Sequence, residues 1–228
     1  MKSSFSRVLT ALLRASHFPQ TLAMTVALGV CAWGTGVRDQ NLAVFVAAVM
    51  FGQFSVGWVN DLVDASLDSS AARSEKPVVA GALSRSTLKL SIAIALMLTI
   101  PLSIFAAGWI GGLAHLSAVA SAQVYNLYLS RTVWSWVPYA VSFALLPLFV
   151  AQAASRTLWP ELPMILLFAL VGVIAHLLNA LPDIAIDRNA GKGGLAVALG
   201  RRRTLGLAVG LILVFIYGAF YLFVAANW

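Results

Sequence analysis

Residues 59–69 read V-N-D-L-V-D-A-S-L-D-S, placing Asn60, Asp61, Asp64 and Asp68 within nine positions. The 228-residue chain has only eight acidic residues, and three of them stand here. Like charges one helical turn apart repel by a few tenths of a kcal/mol on an isolated helix, and by more near an apolar interior. Such a cluster therefore calls for a compensating cation. What surrounds it decides the fold.

Apolar residues fill 61% of the chain and charged residues 10%, more apolar surface than a soluble domain of this length can hide. Lipid is then the solvent for most of it. Seven apolar runs, at about 19–36, 40–60, 88–108, 109–129, 134–154, 162–181 and 204–226, each approach the ~20 residues a helix needs to cross a bilayer. The third and fourth meet at Gly108. Pro101 and Pro147 fall within runs, where neighbouring helices can make good the lost backbone bonds. Trp33, Trp58, Trp109, Trp134, Trp136, Trp159 and Trp228 all fall near run ends, the pattern of an aromatic belt. The expectation is an all-α polytopic membrane bundle of about seven transmembrane helices, forming a single domain over 1–228.

Charge gives the orientation. Threading the seven runs puts Lys2, Arg7, Arg14, Arg73, Lys76, Arg85, Lys89, Arg131, Arg188, Lys192, Arg201, Arg202 and Arg203 on one side, and only Arg38 and Arg156 on the other. By the positive-inside rule the N-terminus is cytoplasmic. The net charge of +7 is thus mainly orientation, with anionic-lipid contact and no nucleic acid. Residues 1–17 read as an amphipathic cytoplasmic lead-in rather than a cleaved signal. A lone cysteine, Cys31, excludes an internal disulfide and reads as a buried apolar thiol. His115 and His176 read as buried, hydrogen-bonded imidazoles, and Gln53 and Gln123 as partners between helices.

Two connections stand apart, 60–87 and 182–203, both on the cytoplasmic side. They hold six of the eight acids: Asp61, Asp64, Asp68, Glu75, Asp183 and Asp187. They also share a spacing. Asn60, Asp64 and Asp68 follow N-x3-D-x3-D, as do Asn179, Asp183 and Asp187. A step of four places each set on one helix face, continuing from a membrane span. Cations follow each set: Arg73 and Lys76 after the first, Arg188 and Lys192 after the second. Carboxylate oxygens suit Mg2+, which shares its shell with waters and phosphate oxygens, while Arg forks onto phosphate and Lys meets it as a point charge. The pattern describes a site for a Mg2+-bound diphosphate at a membrane surface. A transporter would carry its acids nearer mid-span.

With both motifs in hand, the chain resembles the UbiA superfamily of intramembrane prenyltransferases. The resemblance is carried by N-D-x2-D-x3-D at Asn60–Asp68, R-S-E-K-P at Arg73–Pro77 with V-A-G-A-L-S after it, and Y-N-L-Y-L-S-R-T at Tyr125–Thr132. It continues in D-I-A-I-D-R-N-A-G-K at Asp183–Lys192 and A-L-G-R-R-R-T beyond, covering the chain from about Leu13 onward. It implies a helical bundle around a cavity open to lipid, where two aspartate motifs hold Mg2+ and an isoprenyl diphosphate whose ionisation gives an allylic cation for an acceptor to capture. Asp61, Asp64 and Asp68, with Asp183 and Asp187, would be the catalytic metal ligands. Asn60 and Asn179 would be polar partners of the metal or diphosphate, and Arg73, Lys76, Arg188 and Lys192 the clamp. Tyr125 and Arg131 would approach the leaving group or acceptor, and His17 would shape the acceptor site.

The resemblance therefore implies a prenyl transferase in a bacterial cell membrane, its site on the cytoplasmic side. Its partners would be an isoprenyl diphosphate, an acceptor and lipid. Three departures stand out. Ser130 replaces one cation of the family's usual Lys-Arg pair, and Arg73 follows Asp68 by five residues rather than four. Members commonly have nine membrane helices where this sequence shows seven, leaving a stretch of cavity wall to be closed by lipid, by a second copy, or not at all. Terpene cyclisation and sugar-phosphate transfer to a polyprenyl phosphate use related chemistry, and an inactive membrane partner keeps the fold without it.

Overall fold

The computed structural model describes residues 4–70, 73 and 75–225. Lys2, Ser74 and Trp228, which figure in the sequence reading, lie outside them. Within the described residues the regular structure is helical: α1 (Ser4–Ala15), α2 (Phe18–Gly34), α3 (Asp39–Ser70), α4 (Arg85–Val124), α5 (Trp136–Ala154), α6 (Leu162–Ala180), α7 (Ile184–Asn189), α8 (Leu195–Leu199) and α9 (Arg201–Ala225). A π-helical turn, Tyr125–Leu129, closes α4, with the Ser130 amide reaching back to the Tyr125 carbonyl at 2.9 Å.

Five segments are long and apolar enough to cross a membrane among the described residues: Asp39–Ser70, Arg85–Leu129, Trp136–Ala154, Leu162–Ala180 and Arg201–Val224. The α2 helix, at 17 residues, is apolar but shorter. The second of the five is not one straight rod. Gly108 has φ 65° and ψ −171°, outside the helical region and in a conformation few other residues adopt. Ser103 Oγ then lies 2.7 Å from His115 Nδ1, whereas twelve residues of straight helix would separate them by ~18 Å. The chain folds back at Gly108, where the sequence places the join between two runs. Arg156 caps the turn by donating to the carbonyls of Phe105 and Ala106.

The chain divides into two compact units, 1–119 with 149–158, and 120–148 with 159–228. In the first, α2 packs along α3 through a stripe of Thr21, Thr25, Leu28 and Ala32. Cys31 lies off that stripe and is exposed, so it is not the buried thiol expected. Phe45, Phe149 and the His115 imidazole stack in series, with centroids 4.5 and 4.4 Å apart. Trp58 also departs from expectation. Its ring is buried and its indole N–H donates to the Leu12 carbonyl at 2.8 Å, so it fastens α1 to α3 rather than sitting in a belt. Trp33, Trp109, Trp134 and Trp159 are exposed, as belt residues should be.

In the second unit α9 packs on α6 and α8, and α7 on α8. Gly172 permits α6 to approach α5 closely, since a Cβ there would overlap the Tyr139 carbonyl. The α9 helix covers little more than Thr204 and Ala208, leaving Leu213, Tyr217, Phe220 and Phe223 on its open faces. In a bilayer, apolar side chains on such faces need no protein cover.

Candidate active site

The α3 helix runs ten residues beyond its expected end at 60 and carries Asn60, Asp61, Asp64 and Asp68 as one helical stretch. Its buried row is Trp58, Asp61, Ala65 and Asp68, at steps of three and four. Asp61 and Asp68 therefore point inward, 2% and 4% exposed, while Asp64 sits half-buried on the flank with its Oδ2 accepting from Asn60 Nδ2 at 3.5 Å. Which acid is buried follows from the row that α1 and the following loop cover, a tertiary fact that spacing alone does not give.

That loop returns to the helix. The Arg73 amide bonds to the Asp68 carbonyl at 2.9 Å and the Lys76 amide to the Arg73 carbonyl at 3.1 Å, turning the chain back over α3. Arg73 Nη1 meets Asp68 Oδ1 at 3.3 Å and its Nε meets Glu75 at 3.2 Å. Lys76 Nζ lies 3.2 Å from Asp61 Oδ1 and 4.0 Å from Asp68 Oδ2. These last contacts are ionic rather than aligned hydrogen bonds, because both Asp61 oxygens and Asp68 Oδ2 are buried without a hydrogen-bond donor.

His17 completes this group. It forms the corner between α1 and α2 in a left-handed conformation, φ 53° and ψ 51°, at a cost of about 1–3 kcal/mol for a residue other than glycine. Two contacts hold the corner. A Cβ on Gly57 would overlap the Ser16 carbonyl, so α3 touches the corner backbone directly, and Thr21 Oγ1 donates to that same carbonyl at 2.8 Å. The imidazole Nε2 lies 3.4 Å from Lys76 Nζ. Burial, then the neighbouring Lys76 charge, lowers its pKa below the ordinary 6.5. The stability gained from a neutral His17 is present above 6.5 and is lost as pH falls through the lowered value. Thr10, Leu13, Arg14, His17, Glu75 and Lys76 line an open cleft of about 440 Å³ beside the carboxylates.

In the second unit the helical stripe predicted from Asn179 through Asp187 is broken. The α6 helix ends at Ala180. Leu181 is still in the α conformation, but Pro182 lacks an N–H to continue the ladder, and the Leu181 and Asp183 amides tighten onto the Leu178 and Ala180 carbonyls in a turn before α7. Asp183 and Asp187 keep their one-turn relation, with the Asp187 amide on the Asp183 carbonyl at 2.8 Å. Lys192 Nζ stands 3.9 Å from Asp187 Oδ1. Arg188 donates instead to the Val197 carbonyl at 2.8 Å, and Arg201 to the Leu181 carbonyl at 3.3 Å. Asn179 hydrogen-bonds Tyr139, whose ring meets Tyr125 edge-on with centroids 5.1 Å apart, and both tyrosine rings pack against His176.

Sequence reasoning missed the residues that seat this second loop. Ser135 Oγ lies 3.0 Å from His176 Nε2 and accepts the Leu195 amide at 3.1 Å. A Cβ on Gly193 would overlap the Arg131 carbonyl, so the segment carrying Lys192 lies directly on the backbone of exposed Arg131. Gly193→Ala should force that segment away and lower the melting temperature by several degrees, an overpacking cost of about 1–3 kcal/mol. Gly191→Ala offers a comparison, since no neighbour crowds Gly191 and its cost is only that of its positive φ. Melting both in detergent checks this.

Among the described residues no three His, Cys, Asp or Glu side chains lie together as a ready metal cage. The donor set of Asp61 and Asp68 nevertheless fits Mg2+. It offers hard, buried oxygens, three of the four lacking donors, and Mg2+ is commonly held by one or two carboxylates plus water and substrate phosphate.

The sequence matches the UbiA prenyltransferase family over residues 22–228. The chain belongs to the UbiA prenyltransferase family. No curated protein matches this UbiA-family chain. Its fold is similar to that of a UbiA homologue from Archaeoglobus fulgidus bound to DMAPP and Mg2+, with TM-score 0.77 and 19% identity over 94% of this chain and 78% of that one. The same homologue bound to GPP and Mg2+ gives TM-score 0.78, also at 19% identity and with the same coverage. The apo UbiA homologue from Aeropyrum pernix K1 gives 0.69 at 16% identity, covering 88% of this chain and 77% of that one. With its long apolar helices, this member of the family is an integral membrane protein.

Proposed function

We propose that this protein is a Mg2+-dependent membrane prenyltransferase that moves an isoprenyl group from an isoprenyl diphosphate to a small or lipid acceptor, working on the cytoplasmic side. The observation that carries the reading is the buried Asp61–Asp68 pair at the end of a membrane-type helix, three of its four oxygens without hydrogen-bond donors and with cations beside it. The family supports the reaction class, and relatives of the same fold bind DMAPP or GPP with Mg2+.

Asp61, Asp64 and Asp68 would hold Mg2+ from the first motif, and Asp183 and Asp187 from the second; the repeated spacing supports their acting on one diphosphate. When bound, the metal would neutralise negative charge on the leaving diphosphate. Arg73, Lys76, Arg188 and Lys192 would add donors to the same charge, with Asn60 and Asn179 as neutral partners. The allylic C–O bond breaks with its electron pair leaving on diphosphate, the acceptor's nucleophile bonds to the carbon, and the acceptor loses a proton. Apolar walls would exclude water from the cation. Tyr125 and Arg131 would stand near the leaving group or acceptor, and His17 at the acceptor's entry.

The test uses protein in nanodiscs with isoprenyl diphosphates of several chain lengths, with Mg2+ or EDTA. Diphosphate release that requires Mg2+ is expected. No Mg2+-dependent release or binding at any chain length would overturn the reading.

A further inference from the structure

The Asp61–Asp68 pair is served by two cations that behave differently. Arg73 is committed: its guanidinium hydrogen-bonds Asp68 Oδ1 at 3.3 Å and Glu75 at 3.2 Å, and its own amide is tied to the end of α3. Lys76 is close but not committed. Its Nζ is 3.2 Å from Asp61 Oδ1 and 4.0 Å from Asp68 Oδ2, yet both of these oxygens, and Asp61 Oδ2 beside them, remain without a hydrogen-bond donor. A permanent buried ion pair offsets its desolvation by aligned, charge-assisted hydrogen bonds, and this one forgoes them. The lysine also has somewhere else to go. Its flexible stem is 15% exposed, and it borders both His17 Nε2, at 3.4 Å, and the open cleft of Arg14 and Glu75.

We infer that Lys76 is an internal counter-ion that competes with the divalent cation for Asp61 and Asp68, holding the carboxylates when no metal is bound and turning to the diphosphate when metal arrives. This rests on the proposed function and adds an order of events to it. Two buried carboxylates need a cation at all times, and a lysine and Mg2+ cannot both stand against the same oxygens. Metal entry therefore displaces the ammonium toward the cleft, where a diphosphate brings fresh negative charge. Metal and diphosphate then bind better together than apart, because the diphosphate offers the displaced lysine a partner.

The test measures Mn2+ binding by electron paramagnetic resonance on the whole protein in nanodiscs, with and without geranyl diphosphate, together with melting in EDTA. Lys76→Gln should bind Mn2+ alone roughly tenfold more tightly than the wild type, because the competing charge is gone. It should also melt lower in EDTA and regain more on adding Mn2+, while geranyl diphosphate improves its Mn2+ affinity less. Lys76→Arg should move the first quantity the other way, since guanidinium forks onto carboxylates, and it keeps the test decisive if Lys76→Gln folds poorly. Unchanged or weaker Mn2+ binding by Lys76→Gln, or tighter binding by Lys76→Arg, would overturn the inference and leave the proposed function standing. Failure of every variant and the wild type to bind Mn2+, even with geranyl diphosphate, would overturn both.

Discussion

Asp61→Ala will cost this protein stability and chemistry together, whereas Asp64→Ala, at a half-buried position, will cost it mainly chemistry. Asp61 is 2% exposed and its nearest charged neighbour is the Lys76 ammonium at 3.2 Å. Removing the carboxylate leaves that ammonium without its nearest partner, with only Asp68, 4.0 Å away and already shared with Arg73, and the open cleft to turn to. Breaking a buried pair from one side costs about 3–5 kcal/mol, and the partial exposure of Lys76 brings the expectation to about 2–3 kcal/mol. Asp64 is half-buried on the flank of α3, where water reaches the groups around it, so its loss should cost less stability than that of buried Asp61. Both substitutions remove a proposed metal ligand, and loss of one group that stabilises developing charge typically costs about 10²–10³ in rate. Asp183→Ala should resemble Asp64→Ala. Melting temperature and diphosphate release, measured on the same preparations, separate the two effects. Wild-type melting of Asp61→Ala would show that the Lys76 contact carries no stability. Wild-type release by Asp64→Ala would remove it from the metal shell.

The difference between those two aspartates marks how far the sequence could be read. Acids are so scarce in this chain that a repeated N-x3-D-x3-D stands out, and an apolar run of ~20 residues has few alternatives to a membrane helix. Gly108 was legible for the same reason: two runs meet there, and the structure turns there. What one sequence could not show was which side chains a distant segment would cover. Asp61 is buried and Asp64 is not because α1 and the loop carrying Lys76 lie over one row of α3, and nothing local to residues 59–69 names them. Trp58 read as a belt residue because its indole partner, the Leu12 carbonyl, is 46 residues away. The four-residue spacing from Asn179 to Asp187 suggests one helix, but Pro182 within it has no N–H to donate, and the helix stops there. Cys31 needed only the stripe on α2 that it misses.

Gly57→Ala will show that the α1–α2 corner holds the site as well as the fold. Alanine is a better helix former than glycine by about 1 kcal/mol, so at an uncrowded helical position the change should be neutral or favourable. Gly206 in α9 is such a position, with nothing near the place a Cβ would take. Gly57 is the opposite case. Its Cβ would overlap the Ser16 carbonyl and press on the Ser16 carbonyl carbon and Cα, all backbone atoms that cannot swing aside as a side chain would. Relief requires the corner to lift from α3. Lifting it stretches the Trp58–Leu12 hydrogen bond and draws His17 away from Lys76. Overpacking of this kind costs about 1–3 kcal/mol, a fall of several degrees in melting temperature. Diphosphate release should fall with it, because Lys76 loses the neighbour that limits its positions, whereas Gly206→Ala leaves both quantities unchanged. Equal melting and equal release for the two variants would mean that the corner does not bear on α3. A lower melting temperature with full release would mean that His17 steadies the fold without steadying the site.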